Sequence, residues 1–184
     1  MADPEHPMRV PDPSSLRVVM YPDPILKKKA NAVTEIGPDI GIIAERMLAL
    51  MREAKGVGLA APQVGVGLRI FVCNDTGEAK DDLVCVNPRF VELSGAEEKP
   101  EGCLSIPDVT VTVRRATAAV LEAFDLAGKP FRVSGAELRA RVWQHEVDHL
   151  NGRLIIDAMS ETDEIANRKA LKQLEAQYRR SRRR

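Results

Sequence analysis

Two histidines and a glutamate stand at a spacing that is typical of a metal site on a helix. His145 and His149 are four residues apart, and Glu146 directly follows the first histidine. Side chains four residues apart share one face of a helix, so both imidazoles can bind one metal ion while the carboxylate handles the proton of a water molecule. Because the chain has only three histidines, we interpret this group as the metal site of a hydrolase.

The alternative is a surface helix that carries two unrelated histidines. Leu138, Val142, His145 and His149 follow one another at intervals of four, three and four residues. The histidines therefore share a stripe with apolar side chains. Such a stripe faces the protein interior, where an unpaired imidazole would lower stability. The pattern favours a metal site.

A third protein ligand is needed, because catalytic zinc sites usually combine three side chains with a water molecule. The metzincin pattern would place a histidine at position 155, where the chain has Ile155, so that class of peptidase is excluded. Glu164 and Glu175 can each supply a carboxylate from a later helix, and Cys103 can supply a thiolate. Spacing alone leaves the cysteine and a downstream glutamate open as alternatives.

The helical motif is compatible with two further functions. An endopeptidase would use the two histidines with Glu164 or Glu175 as the third ligand. A metal-binding structural or adaptor domain would have no use for Glu146 beside the ligands. The helical motif alone excludes neither function.

The composition restricts the class of protein. The chain carries 27 basic and 27 acidic side chains, so its net charge of zero excludes a general electrostatic nucleic-acid binder. Three cysteines do not make a disulfide framework and indicate a reducing compartment. Cys73 and Cys85 lie in apolar strand patterns and are expected in the core. The sequence shows no signal peptide or membrane-spanning run, so we expect a cytoplasmic enzyme of the bacterial type without a membrane partner.

The hydrophobic periodicity predicts an α+β fold. Antiparallel or mixed β-sheets should pack around a central helix that carries the metal site, with an N-terminal helix before them and a C-terminal helix after them. Ser134 and Glu137 form a capping-box pattern at the start of the central helix. The predicted helices cover residues 38–54, 135–150 and 161–178, and the predicted strands cover 68–73, 83–86, 89–93, 109–113, 119–124 and 131–133.

The same periodicity divides the chain into three parts. Residues 1–15 carry four prolines and few large apolar side chains, so we expect a disordered N-terminal extension. Residues 16–160 should form the catalytic domain. Residues 161–184 should form a C-terminal helix and a basic tail.

Three segments together resemble the signature motifs of the peptide deformylase family, and they occur in the order of that family. The resemblance extends from about Leu16 to Ser160. The three segments are Gly56-Val57-Gly58-Leu59-Ala60-Ala61-Pro62-Gln63-Val64-Gly65, Glu101-Gly102-Cys103-Leu104-Ser105 and Gln144-His145-Glu146-Val147-Asp148-His149-Leu150.

The resemblance implies a metal-dependent hydrolase that removes the formyl group from the N-terminal formylmethionine of nascent polypeptides and releases formate. It implies that Cys103, His145 and His149 bind one divalent metal ion. Iron(II) is the native ion expected for the family, and zinc, nickel or cobalt can occupy such sites.

The resemblance also assigns roles in the reaction. The ion lowers the pKa of its bound water, which is the implied nucleophile. Glu146 is implied to be the acid/base group that moves the proton of this water to the departing amine. The side-chain amide of Gln63 and the backbone N–H of Leu104 are implied to stabilise the oxyanion together with the metal.

The glycine-rich segment of residues 56–65 is not a phosphate-binding P-loop, because no Gly-Lys-Ser/Thr sequence follows it. It is either a plain loop after the first helix or a segment beside which an extended peptide lies, with least obstruction at Gly58. The methionine side chain of such a peptide needs an apolar pocket. We predict Val57, Leu138 and Val142 as its lining, and the alternative is that these residues belong to the general core.

The C-terminal segment is basic. Residues 160–184 contain eight basic and four acidic side chains, which is a net charge of +4. A solvated helix end followed by a disordered tail is one interpretation. The other is a docking site for ribosomal RNA, which suits an enzyme that meets its substrates at the ribosome.

Overall fold

A computed structural model describes residues 12–182, which form three α-helices, seven β-strands and several short 3₁₀ turns. One helix precedes the seven strands and two helices follow them. In chain order they are α1 (Pro38–Glu53), β1 (Gly58–Ala60), β2 (Ile70–Cys73), β3 (Leu83–Ser94), β4 (Glu97–Cys103), β5 (Ile106–Arg115), β6 (Ala118–Phe124), β7 (Pro130–Ala136), α2 (Glu137–Leu150) and α3 (Glu161–Ser181).

The strands form two antiparallel sheets. A five-stranded sheet has the order β1-β2-β3-β6-β7, and β4 with β5 forms a separate two-stranded sheet. This confirms the predicted α+β class. It also places β1 at one edge of the larger sheet, beside the elements that carry the histidines and Cys103.

The larger sheet is covered by a helix on each face. Successive side chains of a strand point to opposite faces, and all four residues of β2 are buried. Ile70 and Val72 pack in one cluster with side chains of α1, whereas Phe71 and Cys73 pack in another with side chains of α2. The continuous apolar run in β2 therefore reflects its position between two helices.

Helix α3 packs against the smaller sheet. Its Leu174 is buried together with Val109 and Val111 of β5. Its Asn167 accepts a hydrogen bond from the Thr110 N–H at 3.2 Å and donates one to the Thr110 carbonyl at 2.8 Å. These contacts hold the C-terminal helix on the hairpin that carries Cys103.

The predicted start of the central helix is wrong. Ser134 does not cap α2, because it lies within β7 opposite Val120. Strand β7 leads directly into the helix at Glu137, whose φ of 51° makes the change of direction. The Glu137 N–H donates to the Thr117 carbonyl at 2.8 Å. Sheet pairing thus overrides the local capping pattern.

Other boundaries differ from the predictions for identifiable reasons. The predicted strands 83–86 and 89–93 are one strand, β3, whose pairing with β6 is interrupted by register shifts. Strand β4 was not predicted, because its sequence is mostly charged, and β1 lies in a segment that reads as a loop. Residues 1–11 of the predicted extension lie outside the described residues. Of the remaining residues in that predicted segment, Pro13–Ser15 form a 3₁₀ turn.

Candidate metal centre

The hairpin of β4 and β5 brings Cys103 to helix α2. Cys103 pairs with Ile106, so only Leu104 and Ser105 form the turn. The Cys103 Sγ lies 3.3 Å from Nε2 of His149, and this Nε2 lies 3.2 Å from Nε2 of His145. The three ligand atoms all lie within 4.8 Å of one another.

The alternative third ligands are not part of this group. Within residues 12–182, the cluster of potential ligands consists of Cys103, His145 and His149, and neither Glu164 nor Glu175 belongs to it. Glu175 instead accepts a hydrogen bond from the Tyr21 hydroxyl at 3.4 Å. The structure therefore favours the thiolate over a downstream glutamate.

The donor atoms fit a divalent transition metal. Nδ1 of His145 lies 3.0 Å from Oε2 of Glu101, and this carboxylate orients the ring so that Nε2 offers its lone pair toward His149 and Cys103. Two imidazole nitrogens and a sulfur at such short separations cannot all satisfy one another, but a cation between them can. Two nitrogens and one thiolate suit zinc or iron(II).

The two histidines of the cluster differ in their electrostatic surroundings. Burial alone would lower the pKa of His145, but hydrogen bonds with Cys103 and Glu101 raise it to about 10. Burial lowers the pKa of His149 well below its usual value. The surroundings thus shift the pKa values of the two imidazoles in opposite directions.

Glu101 is a functional residue that sequence reasoning missed. Arg115 donates to both of its carboxylate oxygens, from Nε at 2.9 Å and from Nη2 at 3.0 Å, and Arg141 donates from Nη1 at 2.7 Å. Burial would raise the pKa of Glu101, but hydrogen bonds from His145 and Arg115 lower it to about 2. Its position in the Glu101–Ser105 motif is the one sequence signal, because its partners Arg115 and Arg141 are distant along the chain.

Glu146 is a buried carboxylate in the wall of a cavity at the metal cluster. The residue is 3% exposed, and its Oε2 has no hydrogen-bond partner within the described part of the chain. Burial raises its pKa to about 7, although the charges of His145 and Arg115 act in the opposite direction. A carboxylate in this range can both take up and release a proton near neutral pH.

Gly58 lies against this carboxylate. A Cβ at position 58 would overlap Glu146 Oε1 and would lie 2.9 Å from both Cδ of Glu146 and Cγ1 of Val142. Glycine is therefore required here by close approach, because any larger side chain would displace the carboxylate.

The Gln63 amide has a fixed orientation. Its Oε1 accepts a hydrogen bond from the Ala60 N–H at 2.8 Å, so Nε2 is turned toward the cluster. There Nε2 lies 3.5 Å from Sγ of Cys103 and 3.3 Å from Oγ of Ser105. The backbone N–H of Leu104, in the hairpin turn, has no hydrogen-bond acceptor among residues 12–182. Two N–H donors thus flank the metal cluster.

A cavity of about 510 Å³ opens onto the cluster and is lined by Val57, Gly58, Leu138, Val142 and both residues of the His145–Glu146 pair. Leu138 is 52% exposed and Val57 is 40% exposed, so neither is general core. Val142 is buried and belongs both to the core around α2 and to the cavity wall. The four residues predicted from the sequence are therefore brought together on one cavity.

Cys73 and Cys85 are separate from this centre. Both are buried in the core between α2 and the larger sheet. Burial raises the pKa of Cys73 to about 12 and that of Cys85 well above its usual value. Both thiols are core side chains, as the strand pattern indicated.

Comparisons with known proteins agree on one family. The family profile described as polypeptide deformylase matches residues 15–164. The chain is 48% identical over 141 residues to a peptide deformylase of Dictyoglomus thermophilum, covering 76% of this chain and 90% of the relative. It is 40% identical over 165 residues to a peptide deformylase of Alkalilimnicola ehrlichii, covering 89% and 93%.

Solved structures show the same likeness in three dimensions. A peptide deformylase from Legionella pneumophila superposes with a TM-score of 0.83 at 38% identity, covering 90% of this chain and 99% of that one. A peptide deformylase from Plasmodium falciparum superposes with a TM-score of 0.85 at 34% identity, covering 89% and 97%.

Proposed function

The chain belongs to the peptide deformylase family and removes the formyl group from the N-terminal formylmethionine of nascent polypeptides, and we propose that Glu146 is the acid/base group of this hydrolysis. One observation carries the proposal. The buried Glu146 carboxylate lies beside the cluster of Cys103, His145 and His149, at a cavity large enough for a peptide end.

Cys103, His145 and His149 would hold one divalent ion. We expect iron(II) as the native ion, and zinc, nickel or cobalt suit the same two nitrogens and one sulfur. When bound, such an ion supplies Lewis acidity that activates water and polarises the formyl oxygen.

The proton moves through Glu146. As water attacks the formyl carbon, the Glu146 carboxylate takes up the water proton, because burial raises its pKa to about 7. The carbon–nitrogen bond then breaks, and Glu146 delivers the proton to the departing amine. Formate and a free N-terminus result, and the carboxylate returns to its starting state.

Gln63 and Leu104 would stabilise the oxygen that becomes negative. Nε2 of Gln63 is held in place because Oε1 is bound to the Ala60 N–H. The Leu104 N–H is free in the hairpin turn. Donors that are already oriented need no rearrangement when the charge develops, which is why such groups lower the barrier by several kcal/mol.

The peptide would lie along the free edge of β1. The Val57 carbonyl accepts a hydrogen bond from the Asn74 N–H, so by the alternation of an antiparallel pair the main-chain groups of Gly58 face away from β2. They can pair with the backbone of an extended substrate of any sequence. The methionine side chain would enter the apolar part of the cavity formed by Val57, Leu138 and Val142.

Formate release tests the function directly. The metal-loaded protein should release formate from a formyl-Met-Ala-Ser peptide and leave the peptide bonds of the N-acetylated analogue intact. Cleavage within the acetylated peptide, without formate release from the formylated one, would instead support the endopeptidase. A protein that binds metal and does neither would be a structural domain.

Gly58→Ala should reduce kcat/KM for formate release about 10- to 100-fold, because the added methyl group displaces Glu146 from its reacting position. Metal content should not change, since Gly58 contacts no proposed ligand. The matched control is Gly67→Ala, where a Cβ meets nothing within 4 Å. Equal activity of the Gly58→Ala variant and this control would contradict the proposed role of the close approach.

We propose residues 16–160 as the catalytic unit, a range similar to the 15–164 that match the family profile. Residues 161–184 add the C-terminal helix and its basic tail. Among the described residues, no helix is both long and apolar enough to cross a membrane. We place the enzyme in the cytoplasm, because its proposed substrates are nascent chains.

The basic C-terminal segment is proposed to dock on ribosomal RNA. At its described end, Arg182 shares the wall of one surface cavity with Lys28 and Lys29 from a distant part of the chain, and Asp23 lies on the same wall. Such a surface binds phosphate groups without sequence preference.

Deletion of residues 179–184 should weaken co-sedimentation with ribosomes at low salt. It should also reduce the slope of log affinity against log salt by up to ~4, since each lost phosphate contact removes about 0.9. The control is Arg89→Gln with Arg132→Gln, which removes two exposed charges from the larger sheet. Unchanged sedimentation after the deletion would exclude this docking site.

A further inference from the structure

We propose that Arg141 is a positioning residue that joins helix α2 to both strands of the hairpin that carries Cys103, and that it thereby sets the affinity of the metal centre. The inference rests on the proposed function, because it takes Cys103, His145 and His149 as the metal ligands. It assigns a role to a buried guanidinium that takes no part in the proton path or the oxyanion site.

The contacts of Arg141 span three elements. Nη1 donates to Oε1 of Glu101 at 2.7 Å and to the Val113 carbonyl at 3.0 Å, and Nη2 donates to the Glu97 carbonyl at 2.9 Å. Glu97 and Glu101 lie on β4, Val113 lies on β5, and Arg141 itself lies on α2. The side chain is only 10% exposed, so water does not replace these bonds easily.

This junction matters because the ligands come from two separate elements. The helix fixes His145 and His149 relative to each other. Cys103 lies at the end of β4, in a two-stranded sheet that is separate from the larger sheet on which α2 packs. The position of the sulfur relative to the imidazoles therefore depends on how the hairpin is held. A metal site requires ligand distances that are correct to within a few tenths of an ångström.

Arg141 acts on both parts at once. Glu101, which it neutralises, also accepts from Nδ1 of His145 and precedes Cys103 by two residues on the same strand. Charge-assisted hydrogen bonds of this kind are stronger and more directional than neutral ones. Partners that orient a ligand in this way typically change metal affinity 10- to 100-fold when they are removed.

The surroundings make Arg141 a better test position than Glu101. When Arg141 is replaced, Glu101 keeps its two hydrogen bonds from Arg115 and its contact with His145. No isolated buried charge is left, so an Arg141→Met variant should fold. Replacement of Glu101 would leave the buried Arg141 guanidinium without a carboxylate partner, whereas Arg115 would keep its ion pair with Asp148.

The experiment measures metal binding and activity separately. Zinc affinity of the Arg141→Met protein is determined by competition with a chromophoric chelator, and cobalt(II) spectra report the thiolate bond of Cys103. We expect zinc affinity to fall about 10- to 100-fold and the thiolate-to-cobalt band to weaken. Arg139→Met is the matched control, because Arg139 lies two residues earlier on α2 and pairs with Asp75, outside the cluster.

Two further variants separate positioning from a general structural role. Arg141→Lys keeps the charge but cannot reach all three acceptors, so it should recover part of the affinity. In a double-mutant cycle, the effects of Arg141→Met and Glu101→Gln should add to less than their sum, since Arg141 acts partly through that carboxylate and partly through the Val113 and Glu97 carbonyls.

Unchanged zinc affinity in a folded Arg141→Met protein would overturn the proposal, as would fully additive effects in the cycle. A rise in KM alone would show that Arg141 is only a wall of the substrate cavity, and this too would overturn it. Because zinc binding is measured without substrate, these outcomes are distinct from a failure of the wild-type protein to release formate, which would refute the proposed function.

Discussion

Glu146→Gln is expected to lower kcat/KM for formate release by roughly 10²- to 10⁴-fold, the usual contribution of a positioned acid/base group. The amide has the shape of the carboxylate, so the close approach to Gly58 remains. It cannot take up the water proton, because a side-chain amide is not a base at neutral pH. Metal content should stay equal to that of the wild type, because Glu146 is not a proposed ligand.

Formate release by metal-matched protein, with the metal measured in the same samples, provides the check. Glu164→Gln is the control, because Glu164 is exposed on α3 and would be the third ligand of the alternative endopeptidase. We expect this control to keep full activity and full metal content. If Glu164→Gln loses the metal, or if Glu146→Gln stays as active as the wild type, the assigned roles are wrong.

The features that could be predicted from the sequence are those that depend on neighbours along the chain. The helical spacing of His145 and His149 places both on one face of α2, and an apolar, β-prone run that ends before Asn74 indicates β2. Leu138 and Val142 could be predicted as cavity-lining residues, because the same helical period places them on the face of α2 that carries the histidines. These inferences needed no knowledge of distant contacts.

The features that could not be predicted depend on pairing between distant residues. Sequence spacing did not distinguish Cys103 from a downstream glutamate as the third metal ligand. The choice depends on the β4–β5 hairpin, which brings Cys103 close to the histidines. The charged sequence of β4 hides a strand whose Glu101 binds Arg115, 14 residues away, and Arg141, 40 residues away. Resemblance to a family supplied Cys103 but did not reveal this carboxylate network.

The capping pattern at Ser134 failed for a related reason. A local capping box is worth about 1 kcal/mol, whereas the register between β6 and β7 continues through Ser134 to Ala136. Several sheet hydrogen bonds and side-chain contacts together outweigh one cap. The helix consequently starts where the strand pairing ends.

Gln63→Ala should lower kcat about 10²- to 10³-fold with a much smaller change in KM, the pattern expected when a donor stabilises only the transition state. The alanine removes Nε2 from its position near Cys103 and Ser105. It also removes the acceptor of the Ala60 N–H, so a loss of activity could reflect a change in the backbone of β1. A second variant is needed to separate these two effects.

Gln63→Glu provides that separation. One carboxylate oxygen can still accept from the Ala60 N–H, so the local backbone should be preserved, but an oxygen replaces the N–H that faces the developing negative charge. We therefore expect Gln63→Glu to lose at least as much kcat as Gln63→Ala, at equal metal content and with unchanged thermal stability. Gln173→Ala, a change on α3 away from the site, should leave kcat as it is. Wild-type kcat in the Gln63→Glu protein would show that the amide donates nothing to the oxyanion, because repulsion by the carboxylate would then have to be without effect.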